Sequence, residues 1–162
     1  MKATLPIEWL GERVRILDQS RLPREEVFID IDDYRGVISA INEMKVRGAP
    51  ALGVFAAYGV ALGALEIKTG NAADFREQLR TVVKLIAATR PTAKNLFLAI
   101  NRMQAVAEKG AGDVQQLKSA LVGEAEQIHR EEAEATRRLR NFGAELIKDG
   151  YTVLTHCNTG PL

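Results

Sequence analysis

The sequence has few of the residues that disulfide-bonded and metal-binding proteins require. Its 162 residues include one cysteine and two histidines, so it cannot form an internal disulfide, and we expect no metal site and no cofactor. Lysine and arginine total 22 against 21 aspartates and glutamates, so the basic excess of a nucleic-acid-binding protein is absent. We therefore expect no nucleic-acid partner, and the cysteine content favours a cytoplasmic location.

Long apolar runs are almost as scarce. Only the stretch from Gly48 to Leu65 reaches 18 residues without a charge, close to the about 20 that cross a bilayer. It is rich in alanine and glycine, and no second candidate accompanies it. We interpret it as a buried helix in which Gly59 and Gly63 let neighbouring backbones come close, with no membrane partner. Glu8 and Glu12 interrupt the N-terminus, so no signal peptide is expected.

The N-terminal residues alternate between apolar and polar side chains, which is typical of strands. Residues 7–10 and 13–17 flank a Gly11-Glu12 turn and predict a hairpin, and residues 26–30 predict a third strand. Together they predict a small antiparallel sheet. After the sheet, apolar residues recur at helical spacing. The chain is therefore predicted to be α+β, with this N-terminal sheet followed by a helical bundle.

About five helices are predicted after the sheet. Asp32 or Asp33 is the predicted cap of the first, and the second starts near Pro50. A capping box beginning at Asp74 is predicted to open the third, which runs to about Thr89.

Thr92 is the predicted cap of the fourth helix, which extends to about residue 109. Asp113 with Gln116 predicts the start of a fifth, over residues 114–148. Pairs of opposite charge on it are spaced for helical ion pairs, Glu126 with Arg130 and Glu134 with Arg138. Its apolar side comprises Leu117, Leu121, Ile128, Ala135, Leu139, Phe142 and Leu146.

The last residues form a short apolar run, 151–157, that predicts one more strand. No strand next to it in the sequence is available as a partner, and unpaired backbone groups are costly to bury. Parallel partners normally follow in further β–α units. We therefore divide the chain into residues 1–149, the sheet and helical domain, and residues 150–162, the first strand of a second domain.

The segment Arg47-Gly48-Ala49-Pro50 is the first candidate site. Amides at a helix start favour a phosphate or carboxylate, glycine lets the backbone approach an anion, and arginine can clamp it with two hydrogen bonds. The alternative is a loop with an incidental surface arginine. Arg90, in Thr89-Arg90-Pro91-Thr92, lies at a second helix junction, although arginines often end helices for dipole reasons.

The only cysteine, Cys157, ends the apolar run 151–157. A thiol beside His156 suggests nucleophilic or acid–base chemistry, but adjacent residues of a strand point to opposite faces, which argues against a Cys–His pair. A free cysteine acting as a small core residue is the alternative.

Five segments, taken in order, resemble one family. They are Leu17-Asp-Gln-Ser-Arg-Leu-Pro23, Arg47-Gly-Ala-Pro-Ala-Leu-Gly53, Ala57-Tyr-Gly59, Arg90-Pro-Thr-Ala-Lys-Asn-Leu96 and Thr155-His-Cys-Asn158. The chain resembles the N-terminal part of the S-methyl-5-thioribose-1-phosphate isomerases, enzymes of methionine salvage. The resemblance covers essentially all of the chain but about half of a typical member, which continues into a Rossmann-like domain.

The resemblance implies an aldose–ketose isomerase that converts S-methyl-5-thio-ribose 1-phosphate to S-methyl-5-thio-ribulose 1-phosphate. It implies that Arg47, Gly48, Ala49 and Arg90 bind the sugar phosphate, that Cys157 is catalytic, and that the protein is a homodimer. The family's catalytic aspartate falls beyond Leu162, so we expect this chain alone to be inactive. Ribose-1,5-bisphosphate isomerases and a non-catalytic regulatory module that binds a sugar phosphate or nucleotide are the alternatives within the superfamily.

Overall fold

The structure, a computed structural model, describes residues 6–156. It confirms the predicted α+β fold, with a three-stranded antiparallel sheet followed by five helices in the described chain. The strands are β1 (Ile7–Trp9), β2 (Val14–Leu17) and β3 (Phe28–Ile31). The helices are α1 (Tyr34–Asn42), α2 (Ala49–Glu66), α3 (Ala72–Thr89), α4 (Lys94–Lys109) and α5 (Val114–Leu146).

The sheet has the strand order β1-β2-β3, and all its pairs are antiparallel. Ile7 pairs with Ile16, and both side chains are buried, as alternation along the strands predicts. On the other face Arg15 forms an exposed ion pair of 2.6 Å with Asp30. The third strand begins two residues later than predicted, at Phe28, although the Asp18 amide still donates to the Val27 carbonyl beyond the end of β2.

The helix α2 occupies the centre of the bundle and contacts all four other helices. It is long and apolar enough to cross a membrane, yet 72% of its span is buried inside the protein. A neighbour does approach Gly63 closely, but with a side chain instead of the predicted backbone, since a Cβ placed there would lie 2.5 Å from Val82 Cγ1. Because every side of α2 faces another element, it is apolar all round.

Two predicted helix starts have different outcomes. Asp33 caps α1 by accepting a hydrogen bond from the Gly36 amide. The prediction of Asp74 as the cap of α3 is wrong, since Asn71 accepts from the amides of residues 73 and 74 and starts the helix three residues earlier. Asparagine is as good an N-cap as aspartate, so the helix can start at the earlier of the two residues.

The fifth helix begins at the predicted capping box of Asp113 and Gln116. It runs antiparallel to α2, because Lys118 Nζ donates to the carbonyls of Leu65 and Ile67 at the far end of α2, at 3.1 and 2.6 Å. Both predicted ion pairs form, at 3.8 and 3.7 Å. The predicted apolar side is buried only as far as Ile128, and its last four members, from Ala135 on, are exposed.

The segment 151–156 has no regular secondary structure and is exposed. The strand predicted there is therefore not formed within the described residues, which is consistent with the need of a strand for a neighbouring strand. The division of the chain at residue 150 stays a prediction.

An aromatic cluster joins the sheet, α2 and α5. The rings of Trp9 and Tyr58 stack with centroids 5.0 Å apart, and Tyr58 Oη lies 2.8 Å from His129 Nδ1. Burial raises the pKa of the Tyr58 hydroxyl and lowers the pKa of His129. The hydroxyl therefore stays protonated and can donate to the neutral ring.

We expect this histidine to make folding sensitive to mild acid. The pKa of His129 is lower in the folded chain than its ordinary value of about 6.5, so below about pH 6.5 the unfolded chain binds the proton first. The free energy of unfolding then decreases as the pH falls from 6.5 towards the folded pKa, and it is unaffected above 6.5. In the variant His129→Gln, the free energy of unfolding, measured with denaturant, should decrease less between pH 7.5 and 5.5 than it does in the wild type.

The exposed His156 is the matched control. The variant His156→Gln should retain the wild-type pH dependence. If the free energy of unfolding depended on pH equally in the wild type and in His129→Gln, the lowered pKa of His129 would be contradicted.

Candidate active site

The segment 47–49 forms the start of α2. Gly48 is the N-cap residue and has φ of 97°, a left-handed conformation that favours glycine. Ala49 is the first helical residue, and Pro50 follows it. No side chain caps the first-turn amides among the described residues, so they remain oriented for an acceptor. This is the helix start that the sequence predicted for an anion.

Arg47 is positioned by the loop that follows β2, whose first two residues, Asp18 and Gln19, are buried. Its Nη2 donates to the carbonyl of Gln19 at 2.9 Å, and Gln19 in turn donates its amide to the carbonyl of Lys45 at 2.9 Å. Asp18 is buried and accepts from the amide and hydroxyl of Ser20, at 3.0 and 2.6 Å. In the sequence, residues 17–23 stand out only as a family segment, and only the structure shows that this loop supports Arg47.

Arg90 is the C-cap residue of α3, and its carbonyl accepts from the amide of Ala93 at 3.0 Å. Its guanidinium has no hydrogen bond or ion pair with residues 6–156 and is half-buried. The predicted Thr92 cap is wrong, because α4 begins at Lys94 with Ala93 as its N-cap and without a side-chain cap. A second uncapped helix start therefore lies directly after Arg90.

The two helix starts adjoin each other. Gly53, one turn into α2, lies so close to α4 that a Cβ there would be 3.0 Å from the carbonyl oxygen of Asn95. Gly53, Asn95 and Arg138 line one groove, so the starts of α2 and α4 lie beside the same stretch of α5. Gly53 lies four positions after Ala49, and Asn95 lies directly after Lys94. The structure thus brings the Arg47 and Arg90 segments to the same end of the bundle.

An open groove of about 450 Å³ lies beside this end, between α2, α4 and α5. Val54, Leu98 and Ile128 contribute apolar surface. The positive charge of Arg102 in the groove is neutralised by Glu124 and Glu131, at 2.7 and 2.5 Å. Arg102 is therefore held in place by carboxylates, whereas Arg90 has no such partner in the described chain.

Cys157 lies outside the described residues, so its role and its distance from Arg47 stay predictions. His156 is exposed. Within residues 6–156, no three histidine, cysteine, aspartate or glutamate side chains are close enough to hold a metal ion.

Residues 45–162 match the initiation factor 2 subunit family. The chain belongs to this family. A methylthioribose-1-phosphate isomerase of Dehalococcoides mccartyi strain CBDB1 is 53% identical over 156 residues, which are 96% of this chain and 47% of that protein. The resemblance found from the sequence segments is therefore confirmed.

Two solved structures of family members have the same fold. The 5-methylthioribose 1-phosphate isomerase of Pyrococcus horikoshii OT3 superposes with a TM-score of 0.88 at 33% identity, over 92% of this chain and 42% of that one. The subunit delta of translation initiation factor eIF-2B from A. fulgidus superposes with a TM-score of 0.87 at 37% identity, over 98% and 46%. The chain spans about half the length of these family members.

The conformation of Gly48 predicts a specific sensitivity to substitution. A Cβ at positive φ costs about 1–2 kcal/mol, so Gly48→Ala should lower the free energy of unfolding by about that amount in chemical denaturation. Gly11 has φ of 92° and lies in open space, so Gly11→Ala should lower the free energy of unfolding by a similar amount. Gly123 lies inside α5 and also in open space, so Gly123→Ala should instead raise the free energy of unfolding by roughly 0.5–1 kcal/mol. A Gly48→Ala variant as stable as the wild type would refute the left-handed assignment.

Proposed function

We propose that the complete protein is an aldose–ketose isomerase of methionine salvage. It converts S-methyl-5-thio-ribose 1-phosphate to S-methyl-5-thio-ribulose 1-phosphate. The observation that carries the proposal is the meeting of two uncapped helix starts, each preceded by an arginine of a family segment, at one end of the bundle. The names of the relatives support the choice of reaction.

The arrangement suits a phosphorylated sugar. The first-turn amides of α2 carry partial positive charge from the helix dipole, and Gly48 places no side chain between them and a phosphate. Arg47 contributes a guanidinium that the Gln19 carbonyl holds in place, and Arg90 supplies a second at the start of α4. In this proposal Arg47, Gly48, Ala49 and Arg90 bind the substrate.

The reaction moves hydrogen between C1 and C2 of the sugar. The anomeric carbon carries the phosphate, so the ring does not open freely. A route through an enediol needs an acid and a base beside these carbons, whereas a hydride shift needs a dry pocket that stabilises the developing charge. In the proposal Cys157 is the catalytic thiol, and an aspartate from the other half of the protein is its counterpart for either route.

The complete protein is further proposed to be a cytoplasmic homodimer that acts on a small sugar phosphate. A ribose-1,5-bisphosphate isomerase is the alternative enzyme. Direct assays of both sugar phosphates with the complete protein distinguish the two activities.

A binding module without turnover is the second candidate. It is favoured by the likeness to the initiation factor subunit, which is as close in fold as the likeness to the isomerase. Such a module would bind a sugar phosphate or nucleotide through the same arginines. The absence of turnover with either sugar phosphate, together with retained binding, would favour the module over the isomerase.

Replacement of either arginine by lysine tests the phosphate-binding role. Lysine keeps the charge and loses the planar pair of donors, and a hydrogen bond to a charged group contributes about 1.5–3 kcal/mol. Arg47→Lys and Arg90→Lys should therefore each lower kcat/KM by about 10- to 100-fold, mainly through KM, in steady-state assays of the complete protein.

Arg80→Lys is the matched control, because Arg80 is an exposed arginine of α3 that pairs with Glu108 at 2.7 Å. It should leave both kinetic constants unchanged. Wild-type kcat/KM in Arg47→Lys and Arg90→Lys would remove both residues from the site.

Replacement of the thiol tests catalysis separately from binding. Cys157→Ala in the complete protein should abolish turnover while the substrate still binds, since the arginines and helix starts remain. Isothermal titration with the substrate and a turnover assay measure the two effects. A variant that turns over at the wild-type rate would exclude Cys157 from the mechanism.

A further inference from the structure

Met44 has a backbone conformation that is uncommon for a residue with a side chain. Its φ is 58°, in the left-handed region, and no other non-glycine residue among residues 6–156 has a positive φ. Glycine adopts this conformation freely, whereas the Cβ of any other residue then crowds the backbone. Such a conformation persists only where the surrounding structure enforces it, and it is often found at functional sites.

The side chain of Met44 does not account for this conformation. It is 48% exposed, and in the described chain it is not among the residues that form the hydrophobic core or pack against it. Apolar burial therefore does not offset the strain at this position. The reason for the conformation lies in what the backbone of Met44 does.

The backbone of Met44 ends α1 and turns the chain toward the candidate site. The Met44 amide donates to the carbonyl of Ile41 at 3.1 Å. The next amide, that of Lys45, donates to the carbonyl of Ala40 at 2.9 Å. These are the two hydrogen bonds of a Schellman motif, in which the residue after the C-cap Glu43 is left-handed. The conformation of Met44 therefore fixes the position of Lys45.

Lys45 is connected to the Arg47 guanidinium through the backbone of Gln19. The Lys45 carbonyl accepts from the Gln19 amide at 2.9 Å. The Gln19 carbonyl in turn accepts from Arg47 Nη2 at 2.9 Å. If Met44 left the left-handed region, the Lys45 carbonyl would turn away from Gln19. The contact that orients Arg47 would then be lost.

We propose that Met44 is a positioning residue of the anion site, because its left-handed backbone sets the orientation of the Arg47 guanidinium. This inference rests on the proposed function, in which the Arg47 segment binds the phosphate of the sugar. Gly48 is the second left-handed residue in the turn from α1 to α2, and Val46 between the two is buried in the core. Because Val46 keeps the turn attached, changes at Met44 should reorient Arg47 without unfolding the chain.

Replacement of Met44 by isoleucine tests this role of the backbone. A β-branched residue adopts the left-handed conformation even less readily than methionine. In steady-state assays of the complete protein with S-methyl-5-thio-ribose 1-phosphate, Met44→Ile should raise KM about tenfold and leave kcat within about twofold of the wild type. Met44→Asn and Met44→Gly tolerate the conformation and should keep the wild-type KM. Met44→Thr gives the same test if the isoleucine variant is insoluble.

Gly11→Ile is the matched control. It places the same residue at φ of 92°, in the turn between β1 and β2, so it should lower the free energy of unfolding and leave KM unchanged. A wild-type KM in Met44→Ile would overturn the proposal, and so would an equal rise in Gly11→Ile. An equal rise in Met44→Asn and Met44→Gly would overturn it too, because the side chain would then be the group that matters.

Isothermal titration with the same sugar phosphate separates this inference from the proposed function. Met44→Ile should bind it about tenfold more weakly than the wild type does. If the wild type binds without turnover, the isomerase activity is contradicted, and the two dissociation constants still decide the role of Met44. A wild type that binds no sugar phosphate would overturn both.

Discussion

The burial of α2 among the other four helices is the constraint on which the rest of the structure depends. An 18-residue helix with apolar residues on every side is stable only when surrounded. Small residues on it bring the neighbouring helices into direct contact, as at Gly63 against Val82 and at Gly53 against Asn95. The contact at Asn95 places the starts of α2 and α4 together, and the candidate site is a consequence of that packing.

The candidate site combines backbone and side-chain groups from distant parts of the sequence. The amides come from α2 and α4, and the guanidinium of Arg47 is held by the Gln19 carbonyl in the loop after β2. The small sheet therefore has a positioning role in addition to covering α2. The stacked rings of Trp9 and Tyr58 attach that sheet to the bundle, so the loop that holds Arg47 is itself fixed to the central helix.

Much of the fold could be predicted because its signals are local. Alternation in residues 7–17 predicted the hairpin, and the capping box of Asp113 predicted the start of α5. The starts of α3 and α4 were predicted wrongly for local reasons too. Asn71 caps α3 three residues ahead of Asp74, and α4 starts at Lys94 without a cap from Thr92. Propensity ranks the residue types that can cap a helix, but asparagine and aspartate rank equally and the ranking does not decide which of two nearby candidates is used.

By itself, the sequence determined the type and order of the elements, the buried nature of α2, and the two arginine segments that relate the chain to its family. Only the tertiary structure decided that those segments adjoin, that Gln19 holds Arg47, and that the apolar side of α5 is covered in its first part and uncovered in its last. The reason is physical. Periodicity and capping depend on residues within a few positions of each other, whereas these three facts depend on which helices pack together and where each of them ends.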